Sequence, residues 1–345
     1  MHLQLPGPMH NRWALGALAL VGAGAAVATV AVLRRDEAAP RTPDSGPGAG
    51  STPGPWDRPP VDCTREPLPA AHEPGTHPLR VMSLNVHRLV PKGVDRYNVN
   101  ESRDALLDTA AWINEVNPDV VMLQEVENDS RPDGLGDQLA QLSELVGATD
   151  ARMAARTGRA SAQIDNALIT RNGVEIRTAG NIELKPGGAQ NRSTGIATIH
   201  TPAGADATVL FTHLNPGVEG RETRHEHLLY LATLVHDLRT HGVTTFQSRD
   251  TREAARFEGD VDDPIIIAGD FNAHADEIDP LLACTGLVNA DAASEGARRP
   301  GFGIDNIYAT EGVRVLDTHK ATVPALHVQG HPVTDHPSVI ADLLI

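Results

Sequence analysis

Pro264–Asp276 reads PIIIAGDFNAHAD. Ile265, Ile266 and Ile267 form a short β-branched apolar run bounded by Pro264 and Gly269, the pattern of a strand buried on both faces. The run ends in polar residues. Asp270 and Asn272 are two apart, so an extended backbone persisting to Asn272 sends both side chains to one face. A carboxylate and a carboxamide at the tip of a buried strand occupy the place where α/β sheets bind ligands and hard cations. A plain strand-to-turn junction has the same composition, because Gly, Asp and Asn dominate turns for conformational reasons. Four other segments repeat the arrangement, each with an apolar run abutting acids, amides or histidines, and that repetition favours a site.

The other segments lie on both sides of this stretch. LRVMSLNV from Leu79 predicts a strand ending at Asn85. Asn100 to Asn117 places Leu106, Leu107, Ala110, Ile113 and Val116 on a helical stripe, stopped by Pro118. DVVMLQEV predicts a buried strand delivering Glu125, followed by a helix from Asp137 to Val146. Strands are expected at Asn166–Thr170 and Thr194–His200, and in TVLFTHLN, which ends in His213 and Asn215. Arg221–Arg239 is a long amphipathic helix with Leu228, Leu231, Leu234, Val235 and Leu238 inward, and the charged span from His241 to Asp263 is a surface insertion. A helix from Ala275 to Cys284 follows, then strands in GIDNIYAT, Val313–Leu316 and SVIADLL. Asp305 begins one of these, and Asp335-His336 directly precedes the last. The alternation predicts an α/β (α+β) fold of two packed mixed sheets with helices outside.

With 345 residues the chain can bury one domain of roughly 250 residues plus extra segments. Aromatic residues are 3% of the total, too few for reading unpaired bases mainly by stacking or for an aromatic wedge into lipid. The net charge of -16 opposes general attraction to phosphate backbones, so a polyanionic substrate needs local help such as metal ions held by carboxylates. Cys63 and Cys284 are too few for a zinc cluster; they form one disulfide if the domain is exported, or remain two buried thiols.

Residues 1–35 are expected to be a hydrophobic signal peptide or membrane anchor. Trp13–Leu33 is uncharged and long enough to span a bilayer, yet Ala26-Val27-Ala28 also offers a small-x-small cleavage signal. Either way the chain is expected outside the cell, secreted or held on the outer membrane face. Arg12 before the segment and Arg34-Arg35 after it do not set an orientation. Residues 36–78, rich in Pro, Gly, Ala and Ser, read as a flexible linker, and 79–345 as the catalytic domain.

The polar residues at strand ends are Asn85, Glu125, Asn166, His213, Asn215, Asp270, Asn272, Asp305, Asp335 and His336. Oxygen donors without thiolates suit magnesium or manganese, with calcium a further fit, better than zinc. Glu125 and Asp335 suffice as carboxylate anchors, since magnesium completes its shell with waters and phosphate oxygens. Histidines beside acids suggest proton transfer near neutral pH.

SLNV, LQEVEN, DNALIT, THLN, GDFN, GIDNI and TDHPSV, in this order from Leu79 to Ile345, resemble the endonuclease/exonuclease/phosphatase superfamily of DNase I-like metal-dependent phosphohydrolases. The resemblance implies a four-layer sandwich with the site at the junction of the sheets. It implies that Glu125, with Asn85 and Asp335, holds a divalent cation, and that Asp270 aligns or activates the attacking water. Asn272 would bind phosphate or a second metal, and Asn166, Arg192 and Asn215 would contact the substrate phosphate. His336, oriented by Asp305, would be general base or phosphate ligand; His213 would protonate the leaving oxygen or stabilise the transition state. Thr334 stands where the family often has Ser, and Pro337 follows His336 directly. The expected protein is a monomeric phosphoester hydrolase with DNA as first substrate. The alternatives are a lipid or small-molecule phosphoesterase and, from a different class, a binding module that has lost the chemistry. No protein partner is implied; the membrane is a partner if the first segment stays attached.

Overall fold

In the computed structural model the described residues are 56, 59–62, 68 and 75–345 except 95–97, 129–133, 155–162, 186–191 and 297–302. Contacts divide the chain into Met1–Ser51 and Thr52–Ile345, and every described residue belongs to the second unit. The expected signal or anchor and Cys63 lie outside the described residues. Among those described, no helix is long and apolar enough to cross a membrane.

The strands are β1 (Pro78–Asn85), β2 (Val120–Asn128), β3 (Asp150–Met153), β4 (Gln163–Thr170), β5 (Glu175–Glu183), β6 (Ser193–His200) and β7 (Asp206–His213). They continue with β8 (Val243–Gln247), β9 (Ala254–Glu258), β10 (Ile265–Asp270), β11 (Leu287–Asn289), β12 (Asp305–Thr310), β13 (Arg314–Ala321) and β14 (Ser338–Leu344). The helices are α1 (Val99–Val116), α2 (Gln138–Val146), α3 (Arg221–His241), α4 (Ala275–Leu282) and α5 (Ala290–Ala293). Two six-stranded sheets run in the orders β13-β14-β1-β2-β4-β3 and β11-β12-β10-β7-β6-β5. Each contains one parallel pair, β1 with β2 and β7 with β10, and its other pairings are antiparallel. Parallel partners end on the same side of a sheet, and antiparallel neighbours begin there. The topology therefore gathers the ends of β1, β2, β7 and β10 with the starts of β6, β12 and β14.

The triple isoleucine of β10 shows why the strand is apolar on both faces. Ile266 and Ala268 join the core between the two sheets, while Ile265 and Ile267 join the one beneath α3 and α4. On β1, Val81 faces the inter-sheet core while Met82 and Leu84 face α1 and α2. Three apolar layers thus separate four layers of structure, the predicted sandwich. Gly269 is required by this packing, because a Cβ there would stand 1.9 Å from the Thr212 carbonyl oxygen of neighbouring β7.

Other expectations change. The expected insertion from His241 to Asp263 forms the hairpin β8–β9, and its Phe246 and Phe257 are buried beneath α3. Two phenylalanines among many charges give no visible period, but they suffice to seat a short hairpin. Its tip carries Arg249, whose Nη2 lies 2.9 Å from Oδ2 of the buried Asp165. Parts of the expected linker are docked: the Trp56 indole N–H donates to the Glu183 carbonyl (3.1 Å), and the Val61 N–H donates to Thr233 Oγ1 (3.3 Å). Cys284 lies in a 3-10 turn and is not a free thiol.

Candidate active site

Asp270, 1% exposed at the end of β10, is the centre of the site. In the sheet it faces His213 of β7 on one side and Asp305 of β12 on the other. Its Oδ2 accepts from the Asn85 amide (3.1 Å) and lies 3.3 Å from His213 Nε2 and 3.8 Å from His336 Nε2. Residues from four segments of the chain therefore meet at one carboxylate oxygen.

Asp305 holds His336 through both oxygens, 2.9 and 3.1 Å from Nδ1. Donor atoms of Asp270, Asp305 and His336 all lie within 4.8 Å of one another, close enough to hold a cation. Burial, and then the charge of Asp305, push the Asp270 carboxyl up to about 7 against the help of His336, the Asn272 N–H and the Asn85 amide. Burial works against a charged His336, yet its hydrogen bond to Asp305 and the charges of Asp305, Asp270 and Asp335 raise it to about 9. His213 behaves oppositely: burial, then the charges of Arg192 and His336, hold it well below its ordinary value. The site thus presents one charged and one neutral imidazole around a carboxyl that titrates near neutrality.

Glu125 is placed by a bulge. The β2–β4 register shifts between Leu123 and Val126, and Glu125 adopts φ +58° there. A β-bulge re-aims one side chain out of the alternation, here onto the site. Oε1 lies 3.5 Å from the Asn85 amide nitrogen. Asn85 turns its nitrogen to the acids, while its oxygen accepts from the His87 N–H (2.9 Å). Asn85, expected to hold a cation with Glu125 and Asp335, here orients Glu125 and Asp270 through its amide nitrogen. Asp335 stands at the rim, 3.9 Å from His336 Nε2 and 3.3 Å from Lys92 Nζ.

The extended backbone that would put Asp270 and Asn272 on one strand face does not persist to Asn272. The strand stops at Asp270, and Asn272 has φ +51°. Its N–H donates to Asp270 Oδ1 (2.9 Å) and its amide to the Leu214 carbonyl (3.0 Å). Asn272 therefore ties the ends of β7 and β10 together. Arg192, which precedes β6, donates from Nε to Asn215 Oδ1 (3.2 Å), and burial lowers it against the pull of Glu125, Asp270 and Asp165. Asn166 donates to the Ser193 carbonyl (2.9 Å), leaving its buried Oδ1 without a partner among the described residues.

The sequence reading missed two cations. His87, Arg88 and Leu89 have φ of 47°, 59° and 55°, a left-handed turn that costs about 1–2 kcal/mol per residue. Backbone strain of this kind clusters at functional sites. The turn sets Arg88 Nε 3.7 Å from Glu125 Oε2, and Gln138 holds it by donating to the Arg88 carbonyl (2.7 Å). Lys92 follows in the same loop. Arg and Lys directly after the SLNV motif were the available signal.

A stability prediction follows for the metal-free protein. A carboxyl raised from about 4 to about 7 loses stability for the fold as pH rises between those values. A histidine raised to about 9 contributes fully below about 6.5, and that contribution is lost as pH rises through 9. Both act in one direction. In chelator, the melting temperature of the wild type minus that of Asp270→Asn is expected to fall from pH 5 to pH 7; a flat or rising difference over that window contradicts the assignment.

Several solved structures share the fold. An endonuclease/exonuclease/phosphatase from Beutenbergia cavernae DSM 12333 matches with a TM-score of 0.55 and 24% identity, over 78% of this chain and 72% of that one. A humanized D. rerio TDP2 matches with a TM-score of 0.56 and 17% identity, over 78% and 99%. D. rerio TDP2 complexed with single strand DNA product matches with a TM-score of 0.55 and 15% identity, over 78% and 99%. No curated protein matches the chain. The profile of the Endonuclease/Exonuclease/phosphatase family matches residues 82–336, from the centre of β1 to His336 itself. The match spans the whole convergence of strand ends around Asp270, and the chain belongs to that family.

Proposed function

We propose that this chain is a divalent-metal-dependent phosphodiesterase, exported from the cell, with DNA as its substrate. Membership of the family supports phosphoester hydrolysis. The observation that carries the finer reading is the contrast around Asp270, where a carboxyl near 7 sits between a charged and a neutral imidazole.

The donor set fits a hard cation. Four carboxylates (Glu125, Asp270, Asp305 and Asp335) gather there, and Asp270 is pushed up partly by Asp305. Glu125 and Asp335 would hold the ion, while the Asp270–Asp305–His336 group, whose donor spacing also suits one, is taken up by the charged imidazole. When bound, a divalent cation offsets charge developing on the phosphoryl oxygens.

The protein's own residues supply the rest. Asp270, with a carboxyl near operating pH, accepts the proton of the attacking water. His336, kept protonated by Asp305, binds a phosphoryl oxygen rather than acting as base. His213, kept neutral by burial, donates a hydrogen bond to the transition state. Arg192, itself seated by Asn215, lies on the same side as a phosphate ligand. Arg88 and Lys92 give the acidic centre a local positive flank despite the overall charge of -16.

The fold neighbour solved with single strand DNA product supports the choice of DNA, and the apolar Trp13–Leu33 segment supports export. The test is plasmid nicking with magnesium or manganese, run beside phosphate release from lipid and nucleotide substrates. Nicking by the wild type that falls at least about 100-fold in Glu125→Ala, with weaker manganese binding by calorimetry, is the expected result. Unchanged turnover in Glu125→Ala rules out its metal role. Activity confined to lipid phosphoesters replaces the substrate, and no manganese binding at all revives the binding-module reading.

A further inference from the structure

We propose that Asp108, on the far side of α1 from solvent, is a positioning residue that sets the place of His336. Asp is a weak helix former and is almost never fully buried without partners, yet Asp108 lies inside α1 at 0% exposure. Its carboxylate is caught in a nest of consecutive amides. The N–H groups of Leu326 (3.0 Å), His327 (2.9 and 3.0 Å) and Val328 (3.0 Å) all donate to it, and His327 Nδ1 lies 2.5 Å away.

Those amides belong to residues 322–337, the connection from β13 to β14, which has no helix or strand. Long connections without regular structure are uncommon in compact domains unless they carry function. This one ends in Asp335 and His336. Further bonds hold it, and three of them lead directly into the site. Lys92 N–H donates to the Pro332 carbonyl (3.2 Å), Thr334 Oγ donates to the Asn85 carbonyl (2.8 Å), and His336 meets Asp305. At the far end, Trp112, one turn after Asp108 on α1, donates to Ser338 Oγ (3.0 Å). One face of α1 therefore grips both the middle of the segment that presents His336 and the strand residue just beyond its end. A charged acceptor of several N–H groups makes a stiff joint. Asp108 touches no reacting group; it acts through the loop.

The proposal rests on the hydrolase reading for its kinetic consequence but not for its structural one. In the full-length protein, Asp108→Asn removes the charge while keeping one acceptor, and His327→Ala removes a single donor from a half-exposed side chain. Two measurements are made: steady-state kinetics, and the imidazole 15N–1H signals of His336 by NMR. Asp108→Asn is expected to lower kcat about tenfold with KM within about twofold and to displace the His336 signals, because sub-ångström misplacement costs rate rather than binding. His327→Ala is expected to do the same to about threefold in kcat. A folded Asp108→Asn with kcat and His336 signals unchanged overturns the proposal. Should that variant not fold, His327→Ala without either effect overturns it. If the wild type hydrolyses no phosphoester, the hydrolase reading fails by itself, and the His336 signals alone decide whether Asp108 positions the ring.

Discussion

Asp270→Asn is expected to lower kcat/KM by about 10³-fold while leaving the protein as stable as the wild type at pH 8, or more so. The two halves have one cause. Asp270 is almost fully buried and faces Asp305 across the sheet, so its anion is disfavoured by lost hydration and by a like charge. Asn has nearly the same shape and carries no charge, and it can still meet the Asn85 amide. Removing an unfavourable buried charge relieves the fold. In the proposed mechanism the same removal abolishes the group that accepts a proton near neutral pH, an effect of about 10²–10⁴ in rate. Catalysis and stability would thus be opposed at this residue, as is common where a site stores unfavourable electrostatics. Kinetics with an activated phosphodiester, alongside thermal melts at pH 8, checks both. Loss of activity together with a clear loss of stability would mean that Asp270 is a structural anchor rather than a destabilised base.

Much of this was legible in the residues. PIIIAGD announced a strand buried on both faces, and the period-2 split of its isoleucines between two cores is the physical content of that reading. Acids at strand ends could be expected to converge, because a sheet with parallel central strands collects those ends on one edge. What remained hidden depends on backbone dihedrals and register. Nothing in LQEVEN marks Glu125 for φ +58°, since a bulge depends on pairing with β4. Asn272 looks like the next position of a strand, but its N–H turns back onto Asp270. The left-handed turn at His87–Leu89 contains no glycine to announce it, so Arg88 and Lys92 went unread. Hairpin β8–β9 and the docked Trp56 rely on one or two aromatic residues each, a signal too sparse to show periodicity.

The Asp305–His336 pair is expected to behave as one unit. Asp305→Asn and His336→Ala should each lower kcat/KM by about 10²-fold or more, and the double variant should be no worse than the weaker single one. The reason lies in the geometry: His336 Nδ1 is shared by both oxygens of Asp305, and the ring's proton is retained largely through that hydrogen bond and charge. Without Asp305, burial is left to dominate, and burial favours the neutral ring. A phosphate-binding His336 must be protonated, so activity is lost as pH rises through its pKa. The basic limb of the rate profile should therefore move to lower pH in Asp305→Asn while the acidic limb, set by Asp270, moves less. Opposite behaviour identifies the other role: a general-base His336 must be neutral, and lowering its pKa would extend activity toward acid. Additive losses in the double variant would show that the two residues act separately, for instance with Asp305 holding a cation through the donor cluster it shares with Asp270. The pH profile and the double-mutant cycle together distinguish a phosphate-binding imidazolium, a proton-accepting imidazole and a metal-bound carboxylate.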